Sequence, residues 1–268
     1  MGRQAGSDTV SAQLRAAHDN DRAHAVVMRI DSPGGSAVAS EVIWREVSRL
    51  RESGKPVVVS MGDLAASGGY YIACPAEVIV ALPATLTGSI GVLGGKLVVD
   101  GLLERLGVNT GTVQQGARAL MYSFRRGFSE DERARFAATI DAIYEDFVAK
   151  VAAGRGRPVA EVEAVARGRV WTGQDALEAG LVDELGGLRD ALRIARERGK
   201  LPDNAPVLGA LRIPPLARLS RPKNSEDPRT WIATSLPAAG RIKDVIDVAA
   251  ALGLSAEATL RMPDISLR

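Results

Sequence analysis

A serine flanked by small residues follows an apolar run that is typical of a buried strand. Residues 56–61 read PVVVSM and predict the strand, and residues 62–69 read GDLAASGG and predict a turn that contains Ser67 and Gly68. Ligand sites in parallel α/β sheets form at the carboxyl ends of strands. The small neighbours leave room for a carbonyl group, so Ser67 is a candidate nucleophile. The alternative is a tight turn in which the serine only caps the next helix.

An earlier strand is predicted at residues 24–30, and a second glycine-rich turn follows it. It reads DSPGGS from Asp31 and leads into a predicted helix at 37–52. Glycine lets backbone N–H groups approach a ligand closely, and such donors stabilise an oxyanion during acyl transfer. Alone, this turn is also an ordinary helix entry. Together the two turns favour a site in which one supplies the nucleophile and the other the oxyanion donors.

A nucleophilic serine needs a base, and this chain offers few candidates. His18 precedes the first predicted strand and His24 is its first residue, at the end away from the glycine-rich turn, and we expect both to be solvated. The chain has six lysines. A lysine buried among apolar groups has a lowered pKa and can accept the serine proton, so the residue types favour a lysine base over a Ser-His triad.

The composition excludes several other classes of protein. The 268 residues carry a formal net charge of +2, which gives no field that would attract nucleic acid. The one cysteine, Cys74, excludes an internal disulfide framework and a thiolate zinc site, and we expect no metal and no cofactor. No apolar stretch approaches the roughly 20 residues of a membrane helix, and we see no secretory signal.

Strands and helices alternate over the first hundred residues, which predicts an α/β fold with a parallel sheet. A helix at 9–17 is the first clear element, so we expect the chain to begin inside a domain and to lack its first strand. A long helix is predicted at 129–153. We expect one domain over 1–201, followed at 202–268 by a proline-rich linker and an extension with a helix near 240–252.

Four blocks carry a resemblance to a known family. They are DSPGGS at 31–36, KPVVVSMGDLAASGGYYIA at 55–73, LTGSIGV at 86–92 and GRVWTGQDALEAGLVDELGG at 168–187. In this order they resemble the signal peptide peptidase A (protease IV) family of bacterial serine proteases, over roughly residues 10–200. The resemblance implies a crotonase/Clp-protease-like fold, hydrolysis of peptide bonds by a Ser/Lys dyad, and ring- or dome-like oligomers. It also implies that cleaved signal peptides are the substrates, on the outer face of the cytoplasmic membrane.

The family's functional residues map onto this chain with one exception. The nucleophile falls on Ser67, and the oxyanion donors fall on the backbone of Gly68 and of Gly34 or Gly35. The position of the family lysine is occupied by Ala119. Arg118 beside it is no substitute, because a guanidinium stays protonated.

Two tyrosines and one lysine remain as further candidates. Tyr70 and Tyr71 are candidates to line a substrate cleft, with core packing as the alternative. Lys96 is the one lysine in the region where a substitute base would stand, although a solvated position at a helix start is the stronger expectation.

Long members of the family fuse two homologous halves, with the lysine in the N-terminal half and the serine in the C-terminal half. This chain resembles the C-terminal half, which carries the serine. We therefore expect a serine endopeptidase of the Ser/Lys type whose lysine comes from another half or a homologous chain, in a homo-oligomer that takes peptide substrates. The alternative is a catalytically silent homologue that binds peptides or only assembles. A crotonase-type enzyme acting on thioesters is disfavoured, because it needs no serine between these glycines.

Overall fold

The computed structural model describes residues 5–209, which form an alternating α/β arrangement as predicted. The helices are α1 (Ser7–His18), α2 (Ala37–Glu52), α3 (Gly68–Ala73), α4 (Asp100–Arg105), α5 (Glu130–Arg155), α6 (Val159–Val165), α7 (Gly173–Glu178) and α8 (Leu188–Arg198). The strands are β1 (Val26–Ser32), β2 (Val57–Ala66), β3 (Val78–Ala81), β4 (Leu86–Gly88), β5 (Val170–Thr172) and β6 (Glu184–Leu185). The predicted helix near 240–252 lies outside the described residues.

Strand β2 is the centre of the sheet. It pairs in parallel with β1 along its length, while its first half pairs with β3 and its second half with β4 on the other side. Strand β6 extends the sheet in parallel beyond β3. Strand β5 adds an antiparallel edge to β4, so the sheet is mixed where the sequence predicts a parallel one.

The two faces of β2 pack into different apolar clusters. Val57, Val59 and Met61 lie in the larger core, which also contains residues of α2 and α3. Val58 points into a smaller cluster with Ala191 and residues nearby on α8. Alternate side chains of a strand face opposite sides of the sheet, so helices cover β2 on both faces. This burial fixes the strand that ends directly before Ser67.

Strand β2 is longer than the sequence predicts, because residues 62–66 continue the strand and do not form a turn. The register with β1 shifts between Ile30 and Ser32, which leaves extra residues of β2 opposite one position of β1. The Leu64 N–H donates to Oδ1 of Asp31 at 3.3 Å, and a Cβ added at Gly62 would lie 2.8 Å from Cγ of Asp31. The Asp31 side chain therefore fills the bulge and keeps the strand running to Ala66.

Two compact units divide the described residues. The first holds the residues up to Val92 and those from Tyr144 onward, and the second is Leu93–Ile143. The first contains the whole sheet and both glycine-rich turns. The second contains Ala119, Lys96 and the start of α5, where Ser129 and Glu132 form the capping box that begins the helix.

Candidate active site

Ser67 occupies a strained turn between β2 and α3. Its backbone angles are φ 52 and ψ −118, a conformation that side-chain-bearing residues rarely adopt. Its N–H donates to the Gly88 carbonyl at 2.9 Å, and its own carbonyl accepts from the Tyr71 N–H at 2.8 Å. A sharp strand-to-helix turn with a strained serine is the geometry of a nucleophile elbow, which presents the hydroxyl at the end of the sheet.

The Ser67 hydroxyl is not used to build the turn. It makes no capping hydrogen bond to α3, which removes the alternative of a serine that only caps the helix. Among residues 5–209 its oxygen has no hydrogen-bond partner, and the residue is half-buried. The hydroxyl is therefore held in place by the backbone and is left available for chemistry.

The two glycine-rich turns pack directly against each other. A Cβ added at Gly34, where φ is 104, would lie 2.7 Å from the Gly68 nitrogen and 2.8 Å from Cβ of Ser67. A Cβ added at Gly68 would lie 2.5 Å from Oγ of Ser40 and 3.2 Å from the Gly35 nitrogen. The structure thus brings Ser67, Gly68, Gly34 and Gly35 together, and this approach is closed to larger residues at Gly34 and Gly68.

The N–H groups around Ser67 differ in availability. The Gly34 N–H donates to Oγ of Ser32 at 3.2 Å, so it is already engaged. The N–H groups of Gly35 and Gly68 have no acceptor within the described part of the chain. Two unpaired N–H donors beside a serine are what an oxyanion requires. The geometry therefore favours Gly35 over Gly34 as the donor from the first turn.

Both tyrosines that follow the elbow are in the core. Tyr70 is 0% exposed, and its hydroxyl donates to the Leu181 carbonyl at 2.9 Å. Tyr71 is 5% exposed, and its hydroxyl lies 2.7 Å from a Glu41 carboxylate oxygen. Burial raises the pKa of both phenols, and Glu41 raises that of Tyr71 further. These contacts favour packing, the alternative role, over the lining of an open cleft.

Lys55 and Lys150 of the first unit are engaged in contacts away from Ser67. The Lys55 ammonium donates to the carbonyls of Ala17, His18 and Asn20 at 2.9, 2.6 and 2.9 Å, where it ends α1. Burial alone would lower the pKa of Lys150, but hydrogen bonds to Asp146 and Glu41 outweigh burial and raise this pKa. Neither lysine is suited to accept a proton from Ser67.

The second unit contains Ala119 and Lys96, the two positions that the sequence suggested for a base. Ala119 is exposed in a turn over 117–122. The Lys96 ammonium donates to the Met121 carbonyl at 2.7 Å and lies 4.3 Å from the centre of the Phe128 ring. Burial lowers the pKa of Lys96, and the charge of Arg126 lowers it further. The carbonyl and ring contacts give Lys96 a structural role within its own unit.

Sequence reasoning missed a second strained serine beside the first. Ser89 has φ 48, and its N–H donates to the Arg169 carbonyl at 2.7 Å. It follows Gly88, whose carbonyl accepts the Ser67 N–H. A serine within a glycine-rich block after a predicted strand was the available signal, since the same pattern singled out Ser67.

The described residues contain neither a metal-binding cluster nor a membrane-spanning helix. Between residues 5 and 209 no group of three or more metal-ligating side chains is arranged around a common point. Over the same residues no helix has both the length and the apolar content to cross a membrane.

Comparison with known proteins identifies a family and several proteases to which the chain is similar. The profile of peptidase family S49 matches residues 49–201. The chain is 42% identical over 225 residues to the chloroplastic serine protease SPPA of Arabidopsis thaliana, covering 82% of this chain and 32% of that protein. It is 44% identical over 196 residues to Protease 4 of Salmonella typhi, covering 73% and 32%. It is 36% identical over 191 residues to a putative signal peptide peptidase SppA of Enterococcus faecium, covering 71% and 56%. The chain thus spans about a third of the length of the first two.

Proposed function

The chain belongs to peptidase family S49, and from this premise we propose that Ser67 is the nucleophile of a serine endopeptidase whose base, a lysine, comes from another half or chain. The predicted resemblance to the signal peptide peptidase A family is confirmed, and the chain is a serine peptidase by family. Members of this family have the ClpP/crotonase-like fold, with which the mixed sheet and flanking helices agree.

The observation that carries the proposal is the strained elbow with its two unpaired donors. Ser67 keeps a left-handed φ, its hydroxyl caps nothing, and the N–H groups of Gly35 and Gly68 stand beside it without acceptors in the described residues. Such strain costs about 1–3 kcal/mol and persists where the surroundings enforce it, typically at active sites. The rest of the site is consistent with acyl transfer that lacks only a base.

The proposed reaction has two halves with the same base. A neutral lysine amine accepts the Ser67 proton as Oγ forms a bond to the peptide carbonyl carbon, and the carbonyl oxygen gains the negative charge. The N–H groups of Gly35 and Gly68 donate to that oxygen. The C–N bond then breaks, the leaving amine takes the proton from the lysine, and an acyl-serine remains. Water attacks the acyl carbon with its proton passing to the lysine, and Ser67 leaves with that proton.

The relatives support a proposal for the substrate and setting of the enzyme. One relative is named a putative signal peptide peptidase, so we propose cleaved signal peptides as substrates. The family resemblance places such enzymes at the cytoplasmic membrane on its outer face, in ring- or dome-like oligomers, and we propose the same here. An oligomer that also contains a lysine-bearing half or homologous chain would supply the amine that Ala119 does not.

A second candidate function is a catalytically silent homologue that binds peptides or only assembles. The specific observation in its favour is Ala119, which leaves the family's base position without an amine. The two candidates share the fold and differ in whether a lysine reaches Ser67 in the assembled protein.

Mixing experiments separate these candidates. We expect the purified chain alone to cleave a fluorogenic apolar peptide at background rate, and to become active when combined with the lysine-bearing N-terminal half of a long family member. Ser67→Ala should abolish that activity. Ser53→Ala is the matched control, because Ser53 only ends α2 through a hydrogen bond to the Leu50 carbonyl.

Two outcomes would overturn the proposal. Robust cleavage by the chain alone, with Ala119 intact, would contradict a borrowed lysine and point to Lys96, which Lys96→Ala would test. Peptide binding without cleavage in every mixture would establish the silent homologue instead.

A further inference from the structure

The nucleophile and the oxyanion donor come from different segments of the first unit. Ser67 begins α3, whereas Gly35 precedes α2, which starts at Ala37. Apart from the chain between them, no covalent bond holds Ser67 and Gly35 at a fixed distance. Their relative position therefore depends on the pairing of β1 with β2 and on how α2 and α3 pack, and small displacements of reacting groups are costly in rate.

Consecutive residues of α2 contact α3 at two points. Oγ of Ser40 occupies the space where a side chain at Gly68 would begin, 2.5 Å from an added Cβ. The carboxylate of Glu41 lies 2.7 Å from the hydroxyl of Tyr71. Tyr71 is one turn along α3, and its own N–H donates to the Ser67 carbonyl at 2.8 Å. Tyr71 thus joins the elbow to α2 by one backbone and one side-chain hydrogen bond.

The Tyr71 hydroxyl sits between two carboxylates. It lies 2.9 Å from Oδ2 of Asp146 on α5 as well as beside Glu41. A phenol has one proton, so it donates to only one of them fully or shares the proton between both. The Lys150 ammonium is 2.6 Å from the same Asp146 oxygen and 3.2 Å from the same Glu41 oxygen. Its positive charge offsets the repulsion of the two carboxylates.

The ring of Tyr71 is fixed as firmly as its hydroxyl. Its centre lies 4.7 Å from that of Phe147 with the planes tilted by 47°. The side chain is buried, and burial together with the carboxylates raises its pKa, so it remains a protonated donor. A hydrogen bond to an ionised acceptor in a shielded place is among the stronger ones in proteins.

We infer that Tyr71 is a positioning residue that, through Glu41, holds the Ser67 elbow at its working distance from the Gly35 N–H. This inference rests on the proposed function, since it assigns the distance a catalytic meaning. Tyr71 touches no substrate in this role. Its loss therefore lowers the turnover number of the assembled enzyme and leaves the apparent substrate affinity nearly unchanged.

The first test measures steady-state kinetics of the chain assembled with a lysine-bearing half. We expect Tyr71→Phe to lower kcat by about 100-fold with KM within about twofold, because a misplacement of about 1 Å can cost about that factor in rate. Tyr144→Phe is the matched control, because it also removes a phenol that contacts a carboxylate, Glu163 at 3.2 Å, but has no link to the elbow. Glu41→Gln, which keeps an acceptor oxygen, should retain more activity than Glu41→Ala.

The second test measures backbone hydrogen exchange by mass spectrometry on the full chain without a partner. Exchange over residues 67–71, where the N–H groups of Ser67 and Tyr71 are hydrogen-bonded, should become about tenfold faster in Tyr71→Phe than in the wild-type chain and unchanged in Tyr144→Phe. Unchanged exchange and unchanged kcat in Tyr71→Phe would overturn the inference, as would equal losses in both variants. If the wild-type assembly fails to cleave, the proposed function fails, and the exchange measurement still decides whether Tyr71 holds the elbow.

Discussion

Replacing Ala119 by lysine tests the proposed chemistry inside this chain. Ala119 is exposed in its turn, so Ala119→Lys adds a flexible side chain to solvent and should leave the fold intact. The resemblance to the family places the base at this position. We therefore expect the variant, in the chain's own oligomer, to gain peptidase activity that the wild-type chain lacks.

The size of the gain depends on how much of the lysine is neutral. General-base catalysis contributes about 10²–10⁴-fold to such reactions. A solvated lysine has a pKa of about 10.4, so at pH 8 only about one molecule in 250 carries the neutral amine. If Lys stays solvated, the gain at pH 8 is therefore at most about 40-fold, and it rises about tenfold per pH unit toward pH 10. Burial of the amine in the oligomer would lower its pKa and bring the full gain near neutral pH.

The assay is cleavage of a fluorogenic apolar peptide between pH 7 and 10.5, with the oligomeric state monitored in parallel. Ala119→Arg is the control for length and charge, because arginine stays protonated throughout this range and should give no gain. The double variant Ser67→Ala with Ala119→Lys should also be inactive. The reasoning is refuted if Ala119→Lys assembles like the wild-type chain and shows no gain at pH 10, or if the gain survives the loss of Ser67.

Two further predictions concern the glycine turn and the start of α5. Gly34→Ala should lower the free energy of unfolding by about 2 kcal/mol, because the residue has φ 104 and the new Cβ would meet the Gly68 nitrogen at 2.7 Å. Gly35→Ala, with nothing within 4 Å of its Cβ, should unfold in urea at the wild-type midpoint, and similar midpoints for the two variants would contradict this. Hydrogen bonds from Arg126, then from the Ser129 N–H, lower the pKa of Glu132 from 4.5 to about 2. Since the pKa of Glu132 is lower in the folded chain than in the unfolded chain, its ionised form stabilises the fold above pH 4.5, and this stabilisation is lost as the pH falls toward 2. Between pH 6 and 3, Glu132→Gln should therefore lose less free energy of unfolding, measured in urea, than the wild-type chain. An equal loss in both would contradict this prediction.

Local patterns in the sequence were enough to predict the elements that position the site. The helix at 37–52 has the predicted bounds, and Ser36 caps it by accepting the Ala39 N–H at 3.3 Å. The capping box at the start of α5 was also visible, since its two residues lie three positions apart. Helix caps and apolar periodicity involve neighbours in the sequence, so they can be read without knowing the fold.

Features that depend on distant partners were not predicted. Residues 62–66 look like a turn because they are small, and contacts with Asp31 and pairing with β4, each about twenty or more positions away, keep them in the strand. One local contact was missed as well: the Gly34 N–H is withdrawn from the site by Ser32 in the same turn, whose rotamer the sequence does not specify. Tyr71 could not be assigned between cleft and core, because the carboxylates that hold it come from α2 and α5. In each case the deciding contact exists only after the chain has folded.

The strain at Ser67 bears on whether this chain is an enzyme or a silent homologue. A left-handed conformation costs a serine about 1–2 kcal/mol that glycine at the same position would not incur. The cost is borne although the hydroxyl caps no helix and bonds to no other described residue. The strained serine therefore favours the proposal that the amine missing at Ala119 is supplied by another half or chain.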